Sequence, residues 1–199
     1  MTSDSQILDD KALDTLFRAA HTHTVWQARD VSDVLLHAVY DLAKMGPTSA
    51  NTCPARFVFV RSKEAKEKLK PHLDPGNVDK TMSAPVTAII AHDMKFYDKL
   101  PHLYPQADAR SWFAGKPDFI QTTAFRNGSL QGAYLIIAAR ALGLDCGPMS
   151  GFNNKGVQET FFPGEDVTVN FLCNIGYGDP KEVRPRNPRL PFDEACRIV

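Results

Sequence analysis

The stretch from Gly46 to Pro54 carries a dense group of short hydrogen-bonding side chains. It reads Gly-Pro-Thr-Ser-Ala-Asn-Thr-Cys-Pro and lies between an amphipathic helical pattern and a β-type run at 57–60. A glycine and a proline end the helix, so Thr48, Ser49 and Asn51 line the turn that follows. Such a turn can bind a flat polar ligand, but hydroxyl and amide residues are equally common in plain loops.

A second candidate segment combines glycine and small polar residues around Pro148, Met149, Ser150 and Gly151. Glycines in such a segment allow the backbone to approach a ligand closely. Neither GxGxxG nor GxxxxGK[ST] occurs in the chain, which excludes the Rossmann and P-loop phosphate cradles. We also find no Ser-His-Asp, Cys-His or paired-carboxylate set, so the side chains alone indicate no hydrolytic or nucleophilic chemistry.

The segment 181–190 is basic and rich in proline, with Lys181, Arg184, Arg186 and Arg189. Arginine suits a phosphate because its planar fork donates two parallel hydrogen bonds. The alternative is an exposed, extended tail whose charges serve solubility. His21 and His23 could suggest a metal, but no third ligand lies near them in sequence, so we expect none.

Composition limits the function classes. The chain has 199 residues, 43% of them hydrophobic, and its 23 basic residues balance 23 acidic ones. This length predicts that residues 1–199 form a single domain. The balanced charge predicts no long-range attraction to nucleic acid or to an anionic membrane. The four cysteines show no CxxC or metal spacing, and neither a signal peptide nor a membrane-length apolar run is visible. We therefore predict unpaired thiols and a cytoplasmic protein.

Periodicity predicts the elements that position these segments. Helices are expected at 10–20, after an N-cap at Ser32, at 62–70, at 118–142 and from 153 or 154 to 161, and strands at 57–60, 85–91 and 168–175. The helix after Ser32 should bury Leu35, Ala38, Val39, Leu42 and Ala43, and the lysine run at 62–70 should face solvent. The aromatic, irregular segment 92–115 is expected to form a lid or binding loop.

Taken in order, these segments resemble the FMN-dependent nitroreductase family along nearly the whole chain. The resemblance rests on His21-Thr22 with Trp26, the loop 47–54, Leu142-Gly143-Leu144 leading into 148–151, Ile175-Gly176-Tyr177-Gly178, and Pro188-Arg189-Leu190-Pro191. Where the family usually has basic residues the chain has Ala20 and Thr24, and Cys53 replaces a glutamine. Arg189 is then the main candidate phosphate ligand.

The resemblance implies an α+β fold, a three-layer sandwich in which helices flank a mostly antiparallel sheet, with residues 181–199 as an extended tail. It implies an obligate homodimer with the long helix at its interface, FMN bound there, and NADH or NADPH as reductant. His21, Thr22 and Arg189 would hold the FMN phosphate. The side chains of Thr48, Ser49 and Asn51 would meet the ribityl chain and ring edge, and the backbone of Pro148–Gly151 would face the isoalloxazine.

Within the family, the chain looks especially similar to the malonic semialdehyde reductase branch of pyrimidine degradation, through the phrases at 46–51, 108–113, 124–127 and 147–152. This implies ping-pong hydride transfer through FMN from NAD(P)H to 3-oxopropanoate, giving 3-hydroxypropanoate. Because that substrate is a small anion, Arg110 and Arg126 are candidate substrate ligands. The alternatives are a general nitroreductase, a quinone or enone reductase, a non-catalytic flavin-binding module and, last, a zinc hydrolase.

Overall fold

A four-stranded antiparallel sheet forms the middle layer of the molecule. In the computed structural model, which describes residues 7–199, the strands are β1 (Ala55–Val60), β2 (Val86–Asp93), β3 (Asp145–Met149) and β4 (Val167–Gly176). Their order across the sheet is β1-β2-β4-β3, and every neighbouring pair is antiparallel. Seven of the eight β2 residues are buried, as expected of a central strand covered on both faces.

Helices cover both faces of this sheet. They are α1 (Asp10–Leu13), which continues as a π-helical segment Asp14–Arg18, α2 (Asp33–Ala43), α3 (Lys63–Leu69), α4 (Pro75–Ser83), α5 (Leu100–Leu103), α6 (Pro117–Ala141), α7 (Asn154–Phe161) and α8 (Phe192–Ala195). The side chains of Ser32, Ser62 and Asn153 cap α2, α3 and α7, each accepting a hydrogen bond from a backbone N–H of the first turn.

Two hydrophobic clusters separate the layers. On one face, Val39 of α2 and Leu135 of α6 pack in a cluster with Ile90 of β2. On the other face, residues of α3 and α7 join β2 and β4 in a second cluster. The sheet thus lies between two helical layers, which confirms the predicted three-layer α+β fold.

The buried side of α2 differs from the predicted stripe. Leu36, Val39 and Ala43 are buried, whereas Leu42, which we expected in the core, is 47% exposed. The three buried residues fall at i, i+3 and i+7, so the contact stripe is centred on Val39 and Leu42 lies beside it.

The lysine run of α3 is not uniformly solvated, contrary to the expectation. Lys66 is 4% exposed, and its amino group donates to the carbonyl oxygen of Thr81 (2.7 Å) and to Thr87 Oγ1 (2.6 Å). Thr87 in turn donates to Asn174 Oδ1 (2.7 Å) in β4. Burial lowers the pKa of the Lys66 amino group from 10.5 to about 7.

The aromatic segment 92–115 is more ordered than the predicted irregular loop. After β2 it forms 3₁₀ turns at Phe96–Lys99 and Ala109–Trp112 on either side of α5. Phe96, Leu100 and Phe113 form a third hydrophobic cluster with Ile120 of α6. Within residues 7–199, no helix has the length and apolar composition required to cross a bilayer.

Candidate functional site

Four arginines from two distant parts of the sequence surround one cleft. Arg140 comes from the last turn of α6, and Arg184, Arg186 and Arg189 come from the segment after β4. The cleft has a volume of about 430 Å³ and is completed by Phe17, Ala20, His21, Thr22, Thr24, Pro185 and Asn187. Among residues 7–199, none of the four guanidinium groups has a carboxylate within ion-pair distance. The cleft therefore carries an uncompensated positive charge.

Backbone carbonyls fix the positions of these arginines. Arg186 Nη2 donates to the carbonyl oxygens of Arg18 (2.8 Å) and Ala20 (2.6 Å), and Arg140 Nη1 donates to that of Leu16 (3.2 Å). A guanidinium has five N–H donors, so each keeps donors for an anion. The positive charge of the cleft also acts on Lys80. Burial lowers the pKa of the Lys80 amino group, and the nearby charge of Arg184 lowers this pKa further.

Of the four arginines in this cleft, only Arg189 was predicted from the sequence as a phosphate ligand. His21, Thr22 and Arg189 do line it together, but so do Arg140, Arg184 and Arg186, which were not predicted as ligands. Two features of the sequence could have indicated these further ligands. One is the single arginine in the apolar stretch 134–144, and the other is the close spacing of the three arginines at 184–189. The cleft's cationic character does not depend on a basic residue at position 20 or 24.

The outer strand β3 adjoins the arginine cleft. Thr22 forms a parallel bridge with Cys146, and the backbone N–H of His23 donates to the carbonyl oxygen of Cys146 (3.0 Å). Further along this edge, Pro148 and Ser150 are exposed, while Met149 is buried in the second cluster. Because the Met149 side chain points into the core, where its Sδ accepts from Thr81 Oγ1 (3.4 Å), only its backbone can face a ligand.

The two glycines at the ends of this segment, Gly147 and Gly151, lie in close contact with other parts of the chain. A Cβ on Gly147 would lie 2.5 Å from the carbonyl oxygen of His23, and one on Gly151 would lie 2.6 Å from Asn77 Nδ2. The space beside both glycines is thus filled by other parts of the chain. The sequence did not show that these two glycines are needed for packing within the chain, and backbone approach to a ligand at this segment stays a prediction.

The loop 48–54 has an unusual backbone. Ala50, Asn51 and Cys53 all have positive φ angles, between 40° and 51°, which non-glycine residues rarely adopt. Ser49 and Asn51 are exposed and Thr48 is half-buried. Asn51 Nδ2 donates to the carbonyl oxygen of Leu103 (2.8 Å), so the loop also contacts the aromatic segment.

This loop and the arginine cleft lie at opposite corners of the sheet. The loop enters β1 at Ala55, which pairs with His92 near the end of β2. The cleft adjoins Cys146 of β3, which is aligned through Ile175 of β4 with Val86 at the start of β2. From strand rise and spacing, the two corners are roughly 25 Å apart. One chain therefore does not bring Thr48, Ser49 and Asn51 together with His21, Thr22 and Arg189.

The two candidate substrate ligands lie on different surfaces. Arg110 is half-exposed, its Nε donates to Asp98 Oδ1 (2.9 Å), and its guanidinium lies 5.6 Å from the centroid of the Tyr97 ring. Arg126 lies on the exposed side of α6, in a shallow groove of about 560 Å³ beside Phe125 and Leu130. Neither residue lines the arginine cleft.

His21 and His23, for which we expected no metal site, lie in two different environments. His21 lines the cleft, while His23 Nε2 lies 3.4 Å from Asp145 Oδ1 and its ring packs against Gly178. In the part of the chain that the structure describes, no three His, Cys, Asp or Glu side chains are grouped as metal ligands.

Comparisons with known proteins give one consistent family. The sequence profile described as "Nitroreductase family" matches residues 4–177. A protein of Burkholderia lata, provisionally named NADH dehydrogenase/NAD(P)H nitroreductase, is 61% identical over 191 residues, which are 96% of this chain and 98% of the relative.

Two solved structures share the fold. A Bacillus subtilis nitroreductase structure superposes with a TM-score of 0.87 at 21% identity, covering 95% of this chain and 99% of the other. A nitroreductase from Exiguobacterium sibiricum, solved in complex with FMN, gives a TM-score of 0.84 at 19% identity, covering 98% and 99% of the two chains.

Proposed function

Because this chain belongs to the nitroreductase family, we propose that it is an FMN-dependent oxidoreductase that uses NADH or NADPH as reductant. The observation that carries the proposal is the arginine cleft. Its four guanidinium groups, none of which is paired with a carboxylate of residues 7–199, fit a phosphate dianion in charge and in donor chemistry together with the hydroxyl of Thr22 and the ring of His21. A neutral ligand would leave this positive charge uncompensated.

In this proposal Arg189, Thr22 and His21 hold the FMN phosphate, and the other three arginines strengthen the positive field. The segment 148–151, in which Pro148 and Ser150 are exposed, lies at the end of the strand that leads away from the cleft, and the isoalloxazine would lie along it. FMN, when bound, supplies the hydride chemistry between the nicotinamide and the second substrate. The residues of this chain bind and orient the reactants, consistent with the lack of a nucleophile–base set in the sequence.

We further propose that the site is completed by a second copy of the chain. Thr48, Ser49 and Asn51 lie at the opposite corner of the sheet, so they reach the same FMN only from a partner subunit. The outer side of α6 carries the exposed apolar side chains Phe119, Phe125, Leu130 and Tyr134, which a homodimer interface would cover.

The shared site can be tested by mixing two defective variants. Arg189→Glu reverses a charge in the cleft, and Ser49→Trp blocks the loop. If each FMN lies between subunits, randomly mixed dimers should regain about a quarter of the wild-type FMN sites, because each heterodimer pairs one intact cleft with one intact loop. A mixture that binds no more FMN than either variant alone would contradict the shared site.

For the substrate, we propose 3-oxopropanoate, and a place in pyrimidine degradation, on the strength of the sequence resemblance. Arg110 is the proposed carboxylate ligand, since part of its guanidinium is exposed beside the aromatic segment. A general nitroreductase fits the fold, the cleft and the name of the Burkholderia lata relative equally well. Turnover on 3-oxopropanoate should therefore be compared with turnover on a nitroaromatic and on a quinone. An Arg110→Ala variant with an unchanged KM for 3-oxopropanoate would contradict the role of Arg110.

The first experiment is an anaerobic titration of the protein with FMN, followed by NADH and then 3-oxopropanoate. We expect a perturbed flavin spectrum, bleaching with NADH, and recovery with the aldehyde acid. Arg189→Ala should weaken FMN binding about 10- to 100-fold, because a hydrogen bond to a charged group is worth about 1.5–3 kcal/mol. Arg197→Ala, which removes an exposed arginine outside the cleft lining, is the matched control. A wild-type protein that binds no FMN at micromolar concentration would refute the function.

A further inference from the structure

Two side-chain amides of α6 hold both ends of the loop between α2 and β1. Asn127 Oδ1 accepts a hydrogen bond from the backbone N–H of Ser49 (2.8 Å), and Gln131 Oε1 accepts one from the N–H of Ala55 (2.8 Å). The two amides are four residues apart on one side of α6, and both are buried. They bind the chain at Ser49 and at Ala55, the first residue of β1, and leave residues 50–54 between them.

The Asn127 amide has a fixed orientation. Its Nδ2 donates to the carbonyl oxygen of Thr123 (2.8 Å), one turn earlier in α6. The same amide group therefore directs Oδ1 at the Ser49 N–H. A carboxylate could accept the Ser49 bond but could not donate to Thr123 unless it were protonated, and an apolar side chain could do neither.

The loop held by these amides is strained. Ala50, Asn51 and Cys53 have left-handed φ angles, which non-glycine residues keep only where surrounding contacts over-determine the backbone. Within the loop, the N–H of Cys53 donates to Thr48 Oγ1 (3.2 Å). The bonds to Ser49 and Ala55 are the contacts that fix this strained segment to a rigid helix. In this arrangement Ser49 and Asn51 are exposed, and the Asn51 amide is held further by its bond to the Leu103 carbonyl oxygen.

We propose that Asn127 and Gln131 are positioning residues for cofactor binding: they hold the 49–55 loop in the strained conformation that presents Ser49 and Asn51 to the flavin. This inference rests on the proposed function, in which those loop residues contact FMN. Neither amide touches the cofactor in this account, because both are buried between α6 and the loop. The loop geometry, and through it the affinity for FMN, depends on them.

The test compares Asn127→Leu with Asn127→Asp. Asn127→Leu removes the acceptor and should raise the FMN Kd at least tenfold, whereas Asn127→Asp keeps an acceptor for the Ser49 N–H but loses the bond to Thr123, and should raise the Kd clearly less than Asn127→Leu does. Val157→Ala is the matched control, since Val157 is buried in the cluster on the opposite face of the sheet. It should lower stability and leave the FMN Kd unchanged.

A second readout needs no cofactor. In the protein without FMN, hydrogen exchange at the amides of residues 49–55 should speed up at least tenfold in Asn127→Leu, while exchange in β2 changes no more than in Val157→Ala. The inference is overturned if Asn127→Leu leaves loop exchange and FMN affinity unchanged, or if Asn127→Asp binds FMN as weakly as Asn127→Leu. Failure of the wild-type protein to bind FMN at all would instead refute the proposed function. The exchange comparison would still test whether Asn127 holds the loop in place.

Discussion

Replacing the buried Lys66 with methionine should change how stability depends on pH. The Lys66 side chain is buried, and burial lowers the pKa of its amino group to about 7 in the folded protein. A neutral amine has two N–H groups, enough for the bonds to the Thr81 carbonyl and Thr87 Oγ1. Methionine matches the lysine stem in length and flexibility, and it removes the titrating group.

The sign follows from the direction of the shift. Because the folded pKa is lower than the unfolded value of about 10.4, the unfolded chain binds more protons between these two values, and stability rises with pH across that window. Each pH unit well inside the window contributes about 1.4 kcal/mol. Lys66 should therefore contribute about 2 kcal/mol more to the free energy of unfolding at pH 9 than at pH 7. Below pH 7 the full cost of burying the charged amine remains.

The assay is urea denaturation of wild type and Lys66→Met at pH 6, 7, 8 and 9. The difference in unfolding free energy between the two proteins isolates Lys66, because all other titrating groups are common to both. The wild type should gain relative to the variant by about 2 kcal/mol from pH 7 to pH 9. A difference that stays constant within about 0.5 kcal/mol over this range would refute the depressed pKa and the neutral-amine account.

Three further changes concern one buried histidine and two glycines in contrasting environments. His92 is fully buried in β2, neither of its ring nitrogens has a hydrogen-bond partner among the described residues, and burial lowers its pKa. Because the unfolded chain takes up a proton at this histidine more readily than the folded protein does, stability should fall as pH drops below about 6.5. A His92→Leu variant should therefore lose less Tm between pH 7 and pH 5 than wild type does. Gly147→Ala should cost about 1–3 kcal/mol of unfolding free energy because the new methyl group meets the His23 carbonyl oxygen, and a cost below 0.5 kcal/mol would contradict that contact. Gly76→Ala, in α4 with open space around its Cα, should instead stabilise by about 0.5–1 kcal/mol in the same denaturation assay.

The parts of the fold that depend on local pattern were predictable. The continuous apolar run at 85–91 became the central strand β2, the long pattern at 118–142 became α6, and Ser32 and Asn153 cap helices through their own side chains. In each case the information lies within a few residues of the element, so periodicity and capping rules suffice.

Features that depend on distant partners were missed. Lys66 lies in a charged segment typical of an exposed helix, but the segment packs so that this one lysine points at the carbonyl oxygen of Thr81. Arg140 appeared as an isolated charge in an apolar helix, and only the fold brings it beside Arg184 and Arg186. Sequence spacing describes which residues share one helix face, and it does not describe which loops meet at a cleft.

The bonds from Arg186 to the carbonyl oxygens of Arg18 and Ala20 link residues 168 and 166 positions apart in sequence. They hold one wall of the cleft to a distant part of the chain, and the cleft is complete only while this segment is docked. A ligand that needs this wall binds only the docked population, so its apparent Kd equals the intrinsic value divided by the docked fraction. By the same linkage, an anion bound in the cleft favours docking. Arg186 should therefore govern affinity even if its guanidinium never touches the ligand, and saturating FMN should protect residues 184–189 from proteolysis.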